Sequence, residues 1–433
     1  MDRPSTLFQN VHIFTGKSRS LSSLSSVLIE GNKIARISAS ANLKSSKADS
    51  VIDGEGRTLM PGLIDAHVHL MFAGISQAAA LTADTGYIEL VAGQQAERML
   101  SRGFTTVRDV GGPCFGLKRA IDEGVIRGPR IFPAGAMISQ TSGHGDFRPL
   151  SEIPRAPAAP LSHTEMVGAC ALADGVDQIL LRVREQLMKG ASQIKLMAGG
   201  GVASNHDPLD VTQYSEEELR AAVGAAEDWG TYATVHAYTP RAIQRAIMAG
   251  IKCIEHGHLV DEATAKMMAE KGIWWSLQPF LDDEDAVKFP EGSPNHQKLL
   301  QMTAGTETAY ELAIKYKIKT AWGTDTLFDP KLADKQGKQL AKLSHWYSPS
   351  EILKMATSDN AELLELSGPR NPYPDRLGVV EEGALADLLL VNGNPLENIE
   401  LIAEPANFIV IMQNGEFFKN STHRPVSVLR KAS

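Results

Sequence analysis

Pro61-Gly62-Leu63-Ile64-Asp65-Ala66-His67-Val68-His69-Leu70 is an apolar run that leaves a Pro-Gly turn and ends on two histidines. Alternate residues of a β-strand face the same side, so His67 and His69 present both imidazoles to one point. Two histidines converging at the end of a buried strand are either the start of a metal site or a pair of hydrogen-bonded core residues. The later segments of the chain decide between these by supplying further ligands or failing to.

Downstream, apolar strands recur with helix-like segments between them. They run at Phe104–Val110, Arg130–Met137, Gln193–Met197, Tyr232–Ala237, Cys253–Gly257, Ile273–Leu277 and Lys319–Asp325, which with the opening strand makes eight. A helix is expected over Ser215–Trp229, opened by a capping box of Ser215 and Glu218. Another is expected over Pro240–Ala249, with proline in its first turn and Gly250 to end it. Strands alternating with helices predict an α/β fold, a (β/α)8 TIM-like barrel over residues 61–370 with its chemistry at the strand C-terminal ends. A doubly wound sheet is the structural rival.

The two ends have a different rhythm. Ser26–Glu30 and Lys33–Ile37 predict a hairpin across Gly31-Asn32, and Asn407–Phe418 predicts another across Asn414-Gly415. Val51–Met60 and Gly378–Val391 read as further strands and turns. Residues 1–60 and 371–433 are therefore expected to form one composite β-sandwich domain.

Composition narrows the class. With 433 residues, 43% of them hydrophobic, the chain can bury one large core and a smaller one. A net charge of −8 with no basic stripe excludes nucleic acid as a partner. The apolar runs fall short of the ~18 residues of a membrane span, and Met1–Ser5 opens no signal-peptide core. Three cysteines, Cys114, Cys170 and Cys253, make neither a disulfide framework nor a thiolate cluster. A reduced, cytoplasmic setting is expected.

Polar residues at the strand ends carry the functional reading. His67 and His69 end the first strand, Lys195 lies in the fourth, His236 ends the fifth, His256 the sixth, and Asp325 the eighth. Buried charges need partners, and a pair of divalent cations, zinc above all, would serve several of these residues at once. An ammonium does not belong in a cationic site. Lys195 is therefore expected either to be carboxylated on Nζ, which makes it an anionic bridge, or to pair with a carboxylate elsewhere.

This ordered set resembles the amidohydrolase superfamily of metal-dependent hydrolases across nearly the whole chain. The resemblance implies that His67, His69 and Asp325 bind one metal, that His236 and His256 bind the second, and that carboxylated Lys195 bridges them. It further implies a bridging hydroxide as nucleophile and Asp325 as its proton shuttle. His236-Ala237-Tyr238-Thr239 lacks the His-x-x-Glu of the superfamily's mononuclear deaminases, which disfavours deamination. Ser139–Asp146, His236-Ala237-Tyr238 and Ile254-Glu255-His256-Gly257 resemble the prolidase-like and ochratoxinase-like carboxypeptidase branch. The substrate implied is a dipeptide or N-acyl amino acid, ochratoxin-type amides included, with His144 and Tyr238 gripping its carboxylate or carbonyl. Homo-oligomers are common in the family. Rival readings are an ester, lactone or phosphotriester hydrolase on the same centre, and a catalytically silent binding relative.

Other features carry structural expectations. His258 is expected in a supporting role, Gly199–Gly201 as a tight loop, and Trp274 and Trp275 as packing residues facing opposite ways. Asp282–Asp285 is expected as a solvated acidic loop. Arg148–His163, with Pro149, Pro154, Pro157 and Pro160, reads as a long irregular lid beside the cavity.

Overall fold

The computed structural model describes residues 4–39, 48–155 and 159–422; Met1–Arg3 and Pro157, named above, lie outside them. Strands from the N-terminal end are β1 (Ser5–Ile13), β2 (Ser25–Glu30), β3 (Lys33–Ser38), β4 (Ser50–Asp53) and β5 (Thr58–Pro61). The middle of the chain forms β6 (Leu63–Val68), β7 (Phe104–Asp109), β8 (Arg130–Pro133), β9 (Met137–Ser139) and β10 (Cys170–Leu172). It continues with β11 (Ile194–Met197), β12 (Ala233–Ala237), β13 (Cys253–His256), β14 (Trp274–Leu277) and β15 (Thr320–Trp322). The C-terminal end adds β16 (Leu388–Val391), β17 (Phe408–Gln413) and β18 (Glu416–Asn420).

Both ends contribute to one β-structure, in the order β18-β17-β16-β5-β1-β2-β3 with β4 also on β1. Asn10, at φ 54°, interrupts β1. The half before it pairs with β2 and β4, and the half after it pairs with β5 while Val11 still faces Ser25 of β2, so one strand serves two layers. Phe8, Val27 and Ile34 from one end pack with Leu388, Val410 and Met412 from the other. This is consistent with the expected sandwich. Both expected hairpins are present, with Glu30 opposite Lys33 and Gln413 opposite Glu416.

The middle strands are parallel. β10-β9-β11-β12-β13-β14-β15 form one sheet and β6-β7-β8 another. The expected third strand is broken into β8 and β9 at Ala134–Ala136, where Gly135 adopts φ 80°, and this break joins the two sheets. β10 was not anticipated. The opening stretch also divides. Pro61 ends β5, paired with Leu388 of β16, and β6 starts two residues later, while His69 caps the Leu70–Ala73 helix. The helices Glu216–Asp228 and Pro240–Ala249 follow expectation, with the Ser215/Glu218 box formed and Gly250 left-handed. Among the described residues no helix is long and apolar enough to cross a membrane.

β6 and β15 share no backbone ladder, and side chains join them instead. Asn360 Nδ2 donates to Ile64 O at 2.7 Å and Trp322 O at 2.8 Å, and its Oδ1 accepts from Trp322 N at 3.1 Å. Asp65 accepts from the backbone N–H and hydroxyl of Thr324. Asp325 N donates to His67 O at 2.8 Å. Asn360→Ala would strand three buried backbone groups at this seam. A loss of about 3 kcal/mol is expected, read as a lower thermal midpoint with the helix content of the native state unchanged.

Candidate active site

The C-terminal ends of the parallel strands open on a cavity of about 300 Å³. His67, His69, Lys195, His236, His256 and Asp325 all line it, together with His144 and Tyr238. Every residue singled out from the sequence as a ligand or a substrate contact is thus brought to one place.

Asp325 is the hub. Its Oδ1 lies 3.1 Å from His67 Nε2 and 3.2 Å from His69 Nε2, and its Oδ2 lies 3.8 Å from His256 Nδ1. His236 and His256 follow at 4.5 Å between ring centroids, and Tyr238 stands 5.0 and 5.3 Å from these two rings. Each imidazole is anchored by a hydrogen-bond partner other than Asp325. His67 Nδ1 meets Glu255 Oε2 at 2.7 Å, His69 Nδ1 meets Gly111 O at 2.9 Å, and His236 Nε2 meets Gly200 O at 3.1 Å. His256 Nδ1 meets Gln278 Oε1 at 2.8 Å, which leaves Nε2 as its free corner.

The charges follow from burial. Burial disfavours the Asp325 carboxylate, but His67, His69 and His256 outweigh it and hold the acid well below the usual range. Burial and the neighbouring His144, His256 and Lys195 push His236 well down. Burial also lowers His256, against the pull of Asp325. His67 is the exception, since Asp325 and Glu255 overcome its burial and raise it. Burial lowers the Lys195 ammonium, although Glu255 and Asp325 pull the other way.

These donors fit a cation. The ligand atoms of His67, His256 and Asp325 lie within 4.8 Å of one another. His67 Nε2 is buried and has no hydrogen-bond partner among the described residues, because the nearby Asp325 oxygen is not aligned with it. A buried ring nitrogen left this way beside a carboxylate is what a shared metal ion would satisfy.

Beneath the cavity lies a polar layer that sequence reasoning missed. Arg108 Nη2 clasps both Glu255 oxygens at 2.7 and 2.9 Å, with both side chains fully buried. Arg108 Nε donates to Ala66 O at 2.6 Å, and its Nη1 donates to Tyr232 Oη at 3.2 Å. The signal was present as two charged residues inside apolar strands. Gln278, the anchor of His256, gave no such signal.

Other expectations divide. His258 is buried with Nε2 on Gln278 O at 2.9 Å, a supporting position. The Gly199–Gly201 loop is tight, since a Cβ on Gly200 would sit 1.8 Å from Pro208 O. Trp274 and Trp275 are both buried, and Trp275 Nε1 donates to His256 O. The acidic run is not freely solvated, because Asp283 pairs with Lys342 and Asp285 with Lys335. Asp285 also lines the cavity.

The sequence matches the Amidohydrolase family over residues 58–417. Ochratoxinase of Aspergillus niger is 33% identical over 375 residues, covering 83% of this chain and 75% of the relative. A prolidase crystallised with N-methylphosphonate-L-proline superposes with a TM-score of 0.87 at 36% identity, covering 96% of this chain and 100% of that one. A Xaa-Pro dipeptidase with methionine in its active site gives 0.83 at 29% identity, with the same coverage of 96% and 100%. The chain belongs to the amidohydrolase family, in its prolidase-like and ochratoxinase-like branch.

Proposed function

We propose that the chain is a binuclear metal-dependent amidohydrolase that cleaves the amide bond of dipeptides or N-acyl amino acids, ochratoxin-type amides among them. In this reading the parallel strands form a closed (β/α)8 barrel over residues 61–370, and residues 1–60 and 371–433 form the sandwich domain. The observation that carries it is the convergence on Asp325 of His67, His69 and His256 at the floor of one cavity.

His67, His69 and Asp325 would hold one cation, His236 and His256 the second, and Lys195 carboxylated on Nζ would join both. Zinc suits this mix of imidazole and carboxylate donors. When bound, the cations supply an acidified water near neutral pH and a Lewis acid for the scissile carbonyl. Depression of the Lys195 ammonium favours the neutral amine, the form that reacts with carbon dioxide. Asp325 remains a carboxylate, so it can take the proton of the attacking water and pass it to the leaving nitrogen as the C–N bond breaks. Tyr238 and His144 hold the substrate carbonyl or carboxylate. The outer cavity carries Phe72, Phe280, Phe289, Leu299, Met302 and Phe328, which suits an apolar side chain or acyl group.

Lys195→Ala should lose bound metal and reduce turnover by at least 1000-fold, on the order of what loss of an essential catalytic group costs; metal analysis beside kinetics checks this, and full metal content with full turnover would refute the bridge. Glu255→Gln should weaken metal binding about 10- to 100-fold, measured by competition with a chromogenic chelator. A panel of dipeptides, N-acyl amino acids, lactones and paraoxon tests the reaction class. Amides with a free α-carboxylate should be cleaved best, and preference for a lactone or for paraoxon would overturn the amidase reading.

A further inference from the structure

His144 enters the cavity from the loop after β9, and its surroundings fix the ring tightly. It stacks on His236 with 4.1 Å between centroids and 24° between planes. Gly201 lies so close that a Cβ there would sit 2.0 Å from both Cε1 and Nδ1 of the ring. Nδ1 is 2.7 Å from Ser204 Oγ and 3.6 Å from Asp207 Oδ2. The opposite nitrogen, Nε2, makes no hydrogen bond among the described residues, and His144 lines the cavity.

The loop behind the ring is stapled in place. Lys298 Nζ donates to the carbonyls of Gly201, Ser204 and Asp207 at 2.6, 2.7 and 3.1 Å. Asn295 Nδ2 donates to Val202 O and Ser204 O. Neither contact uses the Asp207 carboxylate. Its side chain is 1% exposed, its Oδ2 accepts from Gly201 N at 2.7 Å, and its Oδ1 has no hydrogen-bond partner among the described residues. Burying a carboxylate with an oxygen unpaired is costly, and a neutral acceptor would satisfy Gly201 N–H equally well. The Lys298 ammonium feels the Asp207 charge without bonding the carboxylate, whose Oδ2 stands 3.6 Å from His144 Nδ1. Burial raises the acid, yet His144, Ser204 and Gly201 together hold it below the usual range.

We propose that Ser204 and Asp207 are positioning residues for His144: they keep Nδ1 as a hydrogen-bond donor and so turn Nε2 to the substrate. The arrangement follows the carboxylate-oriented imidazole of other hydrolytic sites, where the group behind the ring sets which nitrogen meets the reactant. It rests on the amidase reading and on the substrate contact assigned there to His144.

The test is a double-mutant cycle on the metal-loaded enzyme with its best amide substrate. Asp207→Asn keeps an acceptor for Gly201 N–H but removes the charge, and Ser204→Ala removes the nearer partner. Each should lower kcat/KM in the native background, Asp207→Asn by about 10-fold or more, the scale of losing about 1.4 kcal/mol of interaction with a buried charge beside the ring. Metal content should not change. In a His144→Asn background neither should have a further effect beyond about twofold, because coupled residues are not additive. Equal losses in both backgrounds would mark the loop as merely structural and overturn the proposal, as would wild-type kinetics for Asp207→Asn. Imidazole 15N shifts give a readout independent of substrate. His144 should be protonated on Nδ1 in the native protein and lose that preference in Asp207→Asn, and unchanged shifts would also overturn it. Protonation on Nδ1 in the native protein, lost in Asp207→Asn, alongside no amide turnover would support the positioning of His144 and remove only the amidase reading.

Discussion

A carboxylate sealed from water holds the site in register. Glu255 accepts from both sides, Arg108 below and His67 Nδ1 above, and all three side chains are fully buried. Desolvating such ions costs several kcal/mol each, and only close, well-aligned partners repay it. Two bonds from one Arg108 nitrogen supply that repayment, and they hold Glu255 well below the usual acid range despite its burial. The same guanidinium reaches Ala66 O and Tyr232 Oη. One charge pair therefore ties β7 and β13 to the strand that carries His67 and to the start of β12. Removing Glu255 would leave Arg108 as a buried charge without its anion, a loss of about 3–5 kcal/mol.

The seam between β6 and β15 depends on the same economy. Neither strand can satisfy the other through a backbone ladder, so Asp65 and Asn360 supply the missing donors and acceptors. Burial raises the Asp65 acid, and bonds from Gln336, His67 N and Thr324 oppose the shift. Asp65 stands two residues before His67, and Thr324 directly precedes Asp325. The seam and the hub of the site are consequently one structure, and a disturbance of the first displaces the second.

Much of this was legible in the sequence for a physical reason. An ionisable residue inside an apolar strand must find a partner, and six such residues within or ending five of the expected strands pointed to one cavity before any geometry was known. The two-residue turns at Gly31-Asn32 and Asn414-Gly415 were equally readable, since their left-handed residues admit few alternatives. The unread parts depend on contacts between distant segments. Gln278 and Asn360 are polar residues of ordinary appearance whose partners lie elsewhere in the chain. The broken third strand shows only as Pro133 and Gly135 in an otherwise apolar run. Asp283 and Asp285 read as solvated because Lys335 and Lys342 stand some 50 residues away, as their sequence separations of 50 and 59 record.

Glu255 escaped for a more instructive reason. In a regular strand adjacent residues face opposite sides, so if His256 serves the cavity, Glu255 should not. Yet Glu255 bonds His67 Nδ1 at 2.7 Å, and the His256 ring stands 4.9 Å from the His67 ring. The backbone departs from strand geometry here, because His256, the last residue of β13, adopts the left-handed φ of 74°. Asp325, three residues beyond the end of β15, is also left-handed, at φ 48°. A non-glycine residue there costs on the order of 1–3 kcal/mol. For His256, the turn is held by Trp275 Nε1 on its carbonyl and by Gly257 N on Ala237 O. Strand periodicity therefore gives no guide at His256 and Asp325, where the backbone is left-handed at or beyond a strand end.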